Sequence, residues 1–343
     1  MIIDEIGDKM QVKINQESCE KLGSQLKSLK MKNIDMYDDE NYFPPLTESK
    51  ENVFLYFLVM VSIDHRLRFH DKPFEGFIEN KFYHGADALY KLGILKYKDD
   101  PSFFYPENLA NINIDTVTKW LTIENKEGKK IYPSDIRVRH ELLKDIGIKI
   151  KKNFSDPYDI ITISKGYLRR DYGNGFIDIL KIFKAYQDPV EKKAFLLAKF
   201  LERRSILSIN DPYNKELPID NHLTRIALRL GIVDVDDTTR EKIYANIEFS
   251  DWEDILLRLS VRQAYKMVSQ YSGIDPFILD DFLWAFGRSC CKTKDPVCKT
   301  SCTNECIKIT GCKENCIFTK ECKAFQNRIY MIPEHNFKNT WWY

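Results

Sequence analysis

The chain has no excess charge of either sign: 52 Lys and Arg stand against 51 Asp and Glu, a net charge of +1. Nothing global therefore directs it to nucleic acid or to an acidic partner, and any such binding must come from a local basic face. It also lacks a long hydrophobic run. The longest, VFLYFLVMVSI from Val53 to Ile63, has 11 residues, against the roughly 20 that a helical membrane span requires. It reads as a buried core helix, and no membrane partner is expected. The amino end, MIIDEIGDKMQVKINQESCEKLG, does not have the basic-then-apolar form of a secretion signal. The expected location is the cytoplasm and the expected state a monomer. Internal repeats, low-complexity tracts and long linkers are missing, and strand signals are sparse. Only one cysteine, Cys19, lies outside residues 287–322, and it reads as a packing or surface residue.

Helical periodicity recurs through most of the chain. ENVFLYFLVMVSIDHRLRFH and GADALYKLGILKY are apolar at helical spacing, and NIDTVTKWLTI opens with an Asn suited to capping a helix. After the turn-rich ENKEGKKIYPSD (124–135) come VRHELLKDIGIKI, GFIDILKIFKAY, VEKKAFLLAKFLERR, HLTRIALRLGI and PFILDDFLWAFG, each compatible with a helix of a few turns. The expected fold class is mainly α, a helical bundle with a C-terminal Cys-rich metal or iron–sulfur loop. The expected divisions are residues 1–130, 131–286, the Cys-rich loop 287–325 and a tail 326–343.

Eight of the nine cysteines fall in GRSCCKTKDPVCKTSCTNECIKITGCKENCIFTKEC, residues 287–322. In a reducing compartment such density points to metal before disulfides. Four thiolates satisfy the tetrahedral demand of zinc or of each iron in an iron–sulfur cluster. The CxxxC spacings, among them Cys298–Cys302 and Cys302–Cys306, also suit zinc, so both metals stay open. The cysteines of the middle stretch, Cys302, Cys306 and Cys312, are candidate metal ligands in their own right.

GRSCCKTKDPVC resembles the start of the iron–sulfur loop of the endonuclease III family of DNA glycosylases, and CIFTKEC resembles its end. That loop follows a Gly-Arg with a cysteine, six residues and a second cysteine, and closes on a cysteine, five residues and a last one. The resemblance implies Cys291, Cys298, Cys316 and Cys322 as ligands of a structural [4Fe–4S] cluster. This chain departs from the family between Cys298 and Cys316, where 17 residues replace the family's two. In the family the loop between the first two cysteines carries basic residues to DNA phosphates. Lys292 and Lys294 occupy it here, as phosphate ligands or as solvated lysines.

Upstream, ELPIDNHLTRIALRLGIV resembles the segment of helix-hairpin-helix glycosylases in which an Asp opens a helix ending in a Leu-Gly pair. In that family the Asp is catalytic, and Asp220 matches it. DPVEKKAFLLAKFLERR resembles archaeal 8-oxoguanine glycosylases, where a D-P-x-x-K stretch opens the helix bearing the nucleophilic lysine; the match selects Lys192, with Lys193 next to it. These resemblances cover roughly residues 175–325 and imply a glycosylase-like helical domain within 131–286. The chemistry suits the residue types. N-glycosidic cleavage builds positive charge on the sugar that a carboxylate can offset, and a lysine attacks only when neutral. A Schiff base would add strand cleavage, an AP-lyase activity, to base release.

The same residues have plainer readings. Asp220 precedes Leu223, Ile226, Ala227 and Leu230 at helical spacing, as an N-cap would. The family's glycine-bearing hairpin before the lysine is absent, YQDPVE standing in its place. Residues 192–231 carry eight Lys and Arg against four acids, a phosphate-facing surface or a solvated face. Trp284, with Phe282 beside it, is a candidate for stacking on an extruded base. Asp64, His65, His84 and Asp87 fit no metal motif and read as satisfied core or pocket-edge groups. Their region is faintly similar to queuosine-nucleotide glycosidases, which implies the same bond type on a free nucleoside or nucleotide. The partner expected is thus DNA or a nucleotide, and a metal-bearing nucleic-acid-binding protein without enzymatic activity is the remaining alternative.

Overall fold

The run from Val53 lies inside a helix, Lys50–Ser62, that every neighbour packs around. Ser49 caps its start by accepting the Asn52 amide at 3.2 Å, and each residue from Val53 to Ser62 is buried. A helix apolar on all sides belongs at the centre of a core. It is lined by the helices Ala86–Asp99, Ile136–Asn153 and Lys192–Arg203. Aromatic rings fill the gaps, with Phe57 against Phe200 at 5.2 Å and Tyr56 against Phe104 at 5.4 Å between ring centres. The computed structural model describes residues 10–29, 36–70, 72–312, 314–338 and 340–343, and these are mainly helical, as the periodicity predicts. No helix among them is long and apolar enough to cross a membrane.

The chain divides into two compact units, one of Asp35–Lys215 with Thr340–Tyr343 and one of Met1–Ile34 with Glu216–Asn339. These bounds differ from the divisions expected at residues 130 and 286, and long-range pairing is the reason. In the first unit, Ile123–Glu124 and Lys130–Ile131 form a hairpin. It extends the antiparallel strands Glu75–Ile78 and Lys81–His84 into a four-stranded sheet. The turn-rich 124–135 stretch is therefore the edge of a sheet and not a boundary. In the second unit, Val12–Ile14 pairs antiparallel with Val233–Val235, and the helix Gln16–Lys27 packs on the helix Asp251–Ser272. Those contacts tie the amino end to the carboxyl-terminal half.

The helix Asp251–Ser272, of 22 residues, is fixed at its start by a reciprocal Ser250–Glu253 capping box. It supports Asn221–Leu230, which in turn packs on Pro276–Ser289. Gly231 ends the Asn221–Leu230 helix at φ +76°, a left-handed conformation that favours glycine.

Candidate functional site

In the unit of residues 35–215, the lysine-bearing helix Lys192–Arg203 begins at a turn closed by its own carboxylate. Asp188 Oδ1 accepts the Val190 amide and Oδ2 the Lys192 amide, each at 2.9 Å. Two of the amides at this turn, those of Val190 and Lys192, are thus already filled. Lys192 is its first residue and about nine-tenths buried.

Lys193 is fully buried, and its Nζ donates to the Ser62 carbonyl at 2.5 Å and lies 3.1 Å from His65 Nδ1. Burial, and then the charges of Lys192 and Arg139, hold its pKa well below that of an ordinary lysine. His65 is likewise pushed well down, by burial and then by Arg139, Lys193 and Lys192. Its Nε2 is 2.9 Å from Asp135 Oδ2, and Arg139 bonds both Asp135 and the His65 carbonyl. A neutral imidazole with its proton on Nε2, facing the carboxylate, leaves Nδ1 to accept from Lys193. An uncharged Lys193 amine would spend both hydrogens on these two acceptors and keep its lone pair. Sequence reasoning grouped His65 with core or pocket-edge residues and did not connect it to Lys193. The two are 128 positions apart, and no local pattern links them.

In the other unit, Asp220 caps the helix Asn221–Leu230: Oδ1 accepts the Leu223 amide at 3.0 Å. The second oxygen, Oδ2, lies 4.0 Å from His222 Nδ1, so the cap engages one carboxylate oxygen and leaves the other toward the imidazole. The basic residues between 192 and 231 do not make a phosphate-facing surface, because Lys193, Lys199, Lys215, Arg225 and Arg229 are buried. Arg225 and Arg229, on the helix that Asp220 opens, reach into the cysteine loop. Arg225 donates to Thr293 Oγ1 at 2.9 Å, to the Gly287 and Cys291 carbonyls at 2.8 and 2.9 Å, and to Glu334. Arg229 donates to the carbonyls of Ile332, Lys292 and Thr293 at 2.8, 2.7 and 3.0 Å and to Cys291 Sγ at 3.5 Å.

The eight cysteines of the loop separate into two sets of four. Cys291, Cys298, Cys316 and Cys322 are outside any disulfide, and all four line one cavity with Cys290, Arg229, Phe286, Val297 and Phe318. Burial pushes the Cys316 thiol up to about 12 and the Cys322 thiol up to about 11, and it also raises Cys298; charge on the neighbouring cysteines adds to each. Ligation there would have to expel those protons. The other set is paired, Cys290 with Cys306 and Cys302 with Cys312. The Sγ atoms of Cys302, Cys306 and Cys312 lie within 4.8 Å of one another, close enough to hold a metal ion.

Lys292 and Lys294 are exposed on the loop. Trp284 is 39 % exposed, with the Arg288 guanidinium 5.1 Å from its ring centre. Phe282 is buried, stacked on Phe286 and edge-on to Phe318. Cys19 is fully buried, a packing residue.

No protein-family model and no curated protein matches the chain. Among solved structures it is similar to an 8-oxoguanine DNA glycosylase from Pyrobaculum aerophilum, solved with 8-oxoguanosine. The identity is 13 %, over 86 % of this chain and 96 % of that one, with a TM-score of 0.46.

Proposed function

We propose that the chain is an N-glycosidase that releases a modified or damaged base from DNA. Asp220 is the carboxylate that offsets charge on the sugar, through the oxygen that the helix cap leaves over. Lys192 is the amine for attack at C1′, with AP-lyase activity following from the Schiff base, and Lys193 is the second candidate. Cys291, Cys298, Cys316 and Cys322 hold a [4Fe–4S] cluster. When bound, that cluster crosslinks the loop and supplies no chemistry to the bond being cleaved.

The observation that carries the reading is the link between the Asp220 helix and the loop. One helix places Asp220 at its first turn. At its last turn it places Arg229, which donates to Cys291 Sγ and lines the cavity of the four unpaired cysteines. Four of the five cysteines lining that cavity are outside any disulfide and match the set that the resemblance to the iron–sulfur loop implies, which supports the reading, since four thiols suit the donor demand of such a cluster.

Two measurements test it. Protein purified without air should show a broad absorption band near about 400 nm, as iron–sulfur charge transfer gives. It should also convert a duplex oligonucleotide with an oxidised purine into an abasic product, and Asp220→Asn should abolish that conversion. Colourless protein would remove the cluster from the proposal, and undiminished base release by Asp220→Asn would remove the carboxylate's role. Borohydride trapping of wild type, Lys192→Ala and Lys193→Ala decides between the lysines.

A second reading, release of a base from a free nucleoside or nucleotide, is favoured by Asp188. Its carboxylate fills the amides at the turn where the glycosylase hairpin would grip a phosphate. Duplex binding that is weak and insensitive to salt would support this reading, because phosphate contacts impose a steep salt dependence.

A further inference from the structure

We propose that Cys290, Cys302, Cys306 and Cys312 form a second metal site, which binds one zinc ion when the chain is reduced. Cys306 and Cys312 belong to different pairs, yet their Sγ atoms are 3.7 Å apart. A tetrahedral zinc with Zn–S bonds of about 2.3 Å has ligand sulfurs about 3.8 Å apart. Cys302 completes a trio whose sulfurs all lie within 4.8 Å. Cys290, whose amide donates to the Phe286 carbonyl at 2.8 Å at the end of the helix Pro276–Ser289, lies outside that trio but is paired with Cys306 and is assigned as the fourth ligand. Two disulfides do not require sulfurs of different pairs to gather this closely, whereas one ion does. A four-iron cube would hold its four thiolates further apart, one at each corner. The geometry points to a single ion, and a tetrahedron of thiolates suits zinc.

The surroundings are those of a structural site. Cys290 and Cys306 are fully buried and Cys312 nearly so. Thr303 caps the short helix Asn304–Thr310 that presents Cys306, accepting the Cys306 amide at 3.2 Å, and Gly311 closes it at φ +69°. The Thr310 hydroxyl donates to the Cys306 carbonyl at 2.7 Å, accepts the Cys312 amide at 3.2 Å and lies 3.7 Å from Cys306 Sγ. One residue thus sets two of the sulfurs, as outer-shell partners of ligands do. The site accounts for the 17 residues between Cys298 and Cys316, which hold Cys302, Cys306 and Cys312. The insertion brings three ligands, and the fourth is the cysteine adjoining Cys291.

Zinc binding exchanges four thiol protons for one Zn²⁺ with no electron transfer. The two pairings are the metal-free oxidised state. Reaching them from the zinc thiolate removes four electrons, which two molecules of hydrogen peroxide accept, each taking up two protons and giving two waters.

The test uses the full chain, purified in reductant without air and supplied with zinc alone. Elemental analysis should give one zinc per chain, and X-ray absorption at the zinc edge should give four sulfurs at about 2.3 Å. Cys302→Ser should lower the zinc content at least tenfold. If a variant fails to fold, native-state alkylation of the wild type replaces it. Cys290, Cys302, Cys306 and Cys312 should resist iodoacetamide until a chelator is added. Zinc-free reduced protein, a zinc shell holding nitrogen or oxygen, iron in this site, or zinc kept with Cys302→Ser would each overturn the proposal. The zinc content is read independently of the band near about 400 nm, so the glycosidase reading and this one can fail separately.

Discussion

Lys193→Met tests whether the fold holds a neutral lysine. The unfolded lysine keeps its proton up to about pH 10.4, while burial holds the folded one well below that. Between the lowered folded value and about 10.4 the unfolded state binds the extra proton, so stability from this group rises with pH across that window. Removing the proton from a lysine of pKa about 10.4 costs about 4.6 kcal/mol at pH 7 and about 1.9 kcal/mol at pH 9. Methionine removes that cost. It also leaves the Ser62 carbonyl and His65 Nδ1 without their donor, at about 1–3 kcal/mol each and equally at both pH values. The two effects nearly cancel near neutrality, but only the first depends on pH. The stability of the variant relative to wild type should therefore fall between pH 7 and pH 9, by at most about 2.7 kcal/mol. Urea unfolding followed by circular dichroism at the two pH values measures the change. His65 is held neutral across this range and other titrating groups are shared by both proteins, so they drop out of the difference. An equal gap at both pH values would show Lys193 charged in the fold and refute the reasoning.

Asp220 can be divided between capping and chemistry with two variants. Asn caps as well as Asp, so Asp220→Asn should melt like wild type yet lose base release by at least about a hundredfold, whereas Asp220→Ala should lose about 1 kcal/mol of stability as well. Arg229→Met strands three carbonyls and the Cys291 sulfur inside the loop. It should cost about 3 kcal/mol or more and diminish any visible band, both followed during thermal melting. Asp254 bonds Arg258 Nε and His335 Nε2, each at 2.9 Å, with all three side chains inaccessible to solvent. Asp254→Asn should therefore cost about 3–5 kcal/mol, read from the urea midpoint. If Lys292 and Lys294 contact DNA phosphates, the double alanine variant should reduce the slope of log affinity against log salt by about 1.8. An unchanged slope in fluorescence anisotropy would make them solvated lysines.

Much of the secondary structure could be read from the sequence, because the signals for helices are local. The all-apolar run from Val53 could only be a central helix, and the Asn113 cap and the Asp220 start lie where side chains meet nearby amides. The grouping of helices could not be read that way. The turn-rich segment at 124–135 looked like a boundary because an exposed hairpin and a linker share the same composition, and only the pairing with Glu75–Ile78 separates them. Charge misled for a similar reason. Arg225 and Arg229 count as basic surface in any composition window, but the cysteine loop folds over them and turns their donors to its carbonyls.

The sequence by itself determined the helical class, the crowding of thiols behind a helix opened by Asp220, and the pair of lysines at the start of another helix. Tertiary structure alone decided that the pKa of Lys193 is lowered, because its burial and the charge of Arg139 come from segments distant in the chain. It also decided how eight adjacent thiols divide into two sets of four. Spacing limits how far each cysteine can reach, but which sulfurs meet depends on where the short Asn304–Thr310 helix docks and on where Arg229 holds the loop.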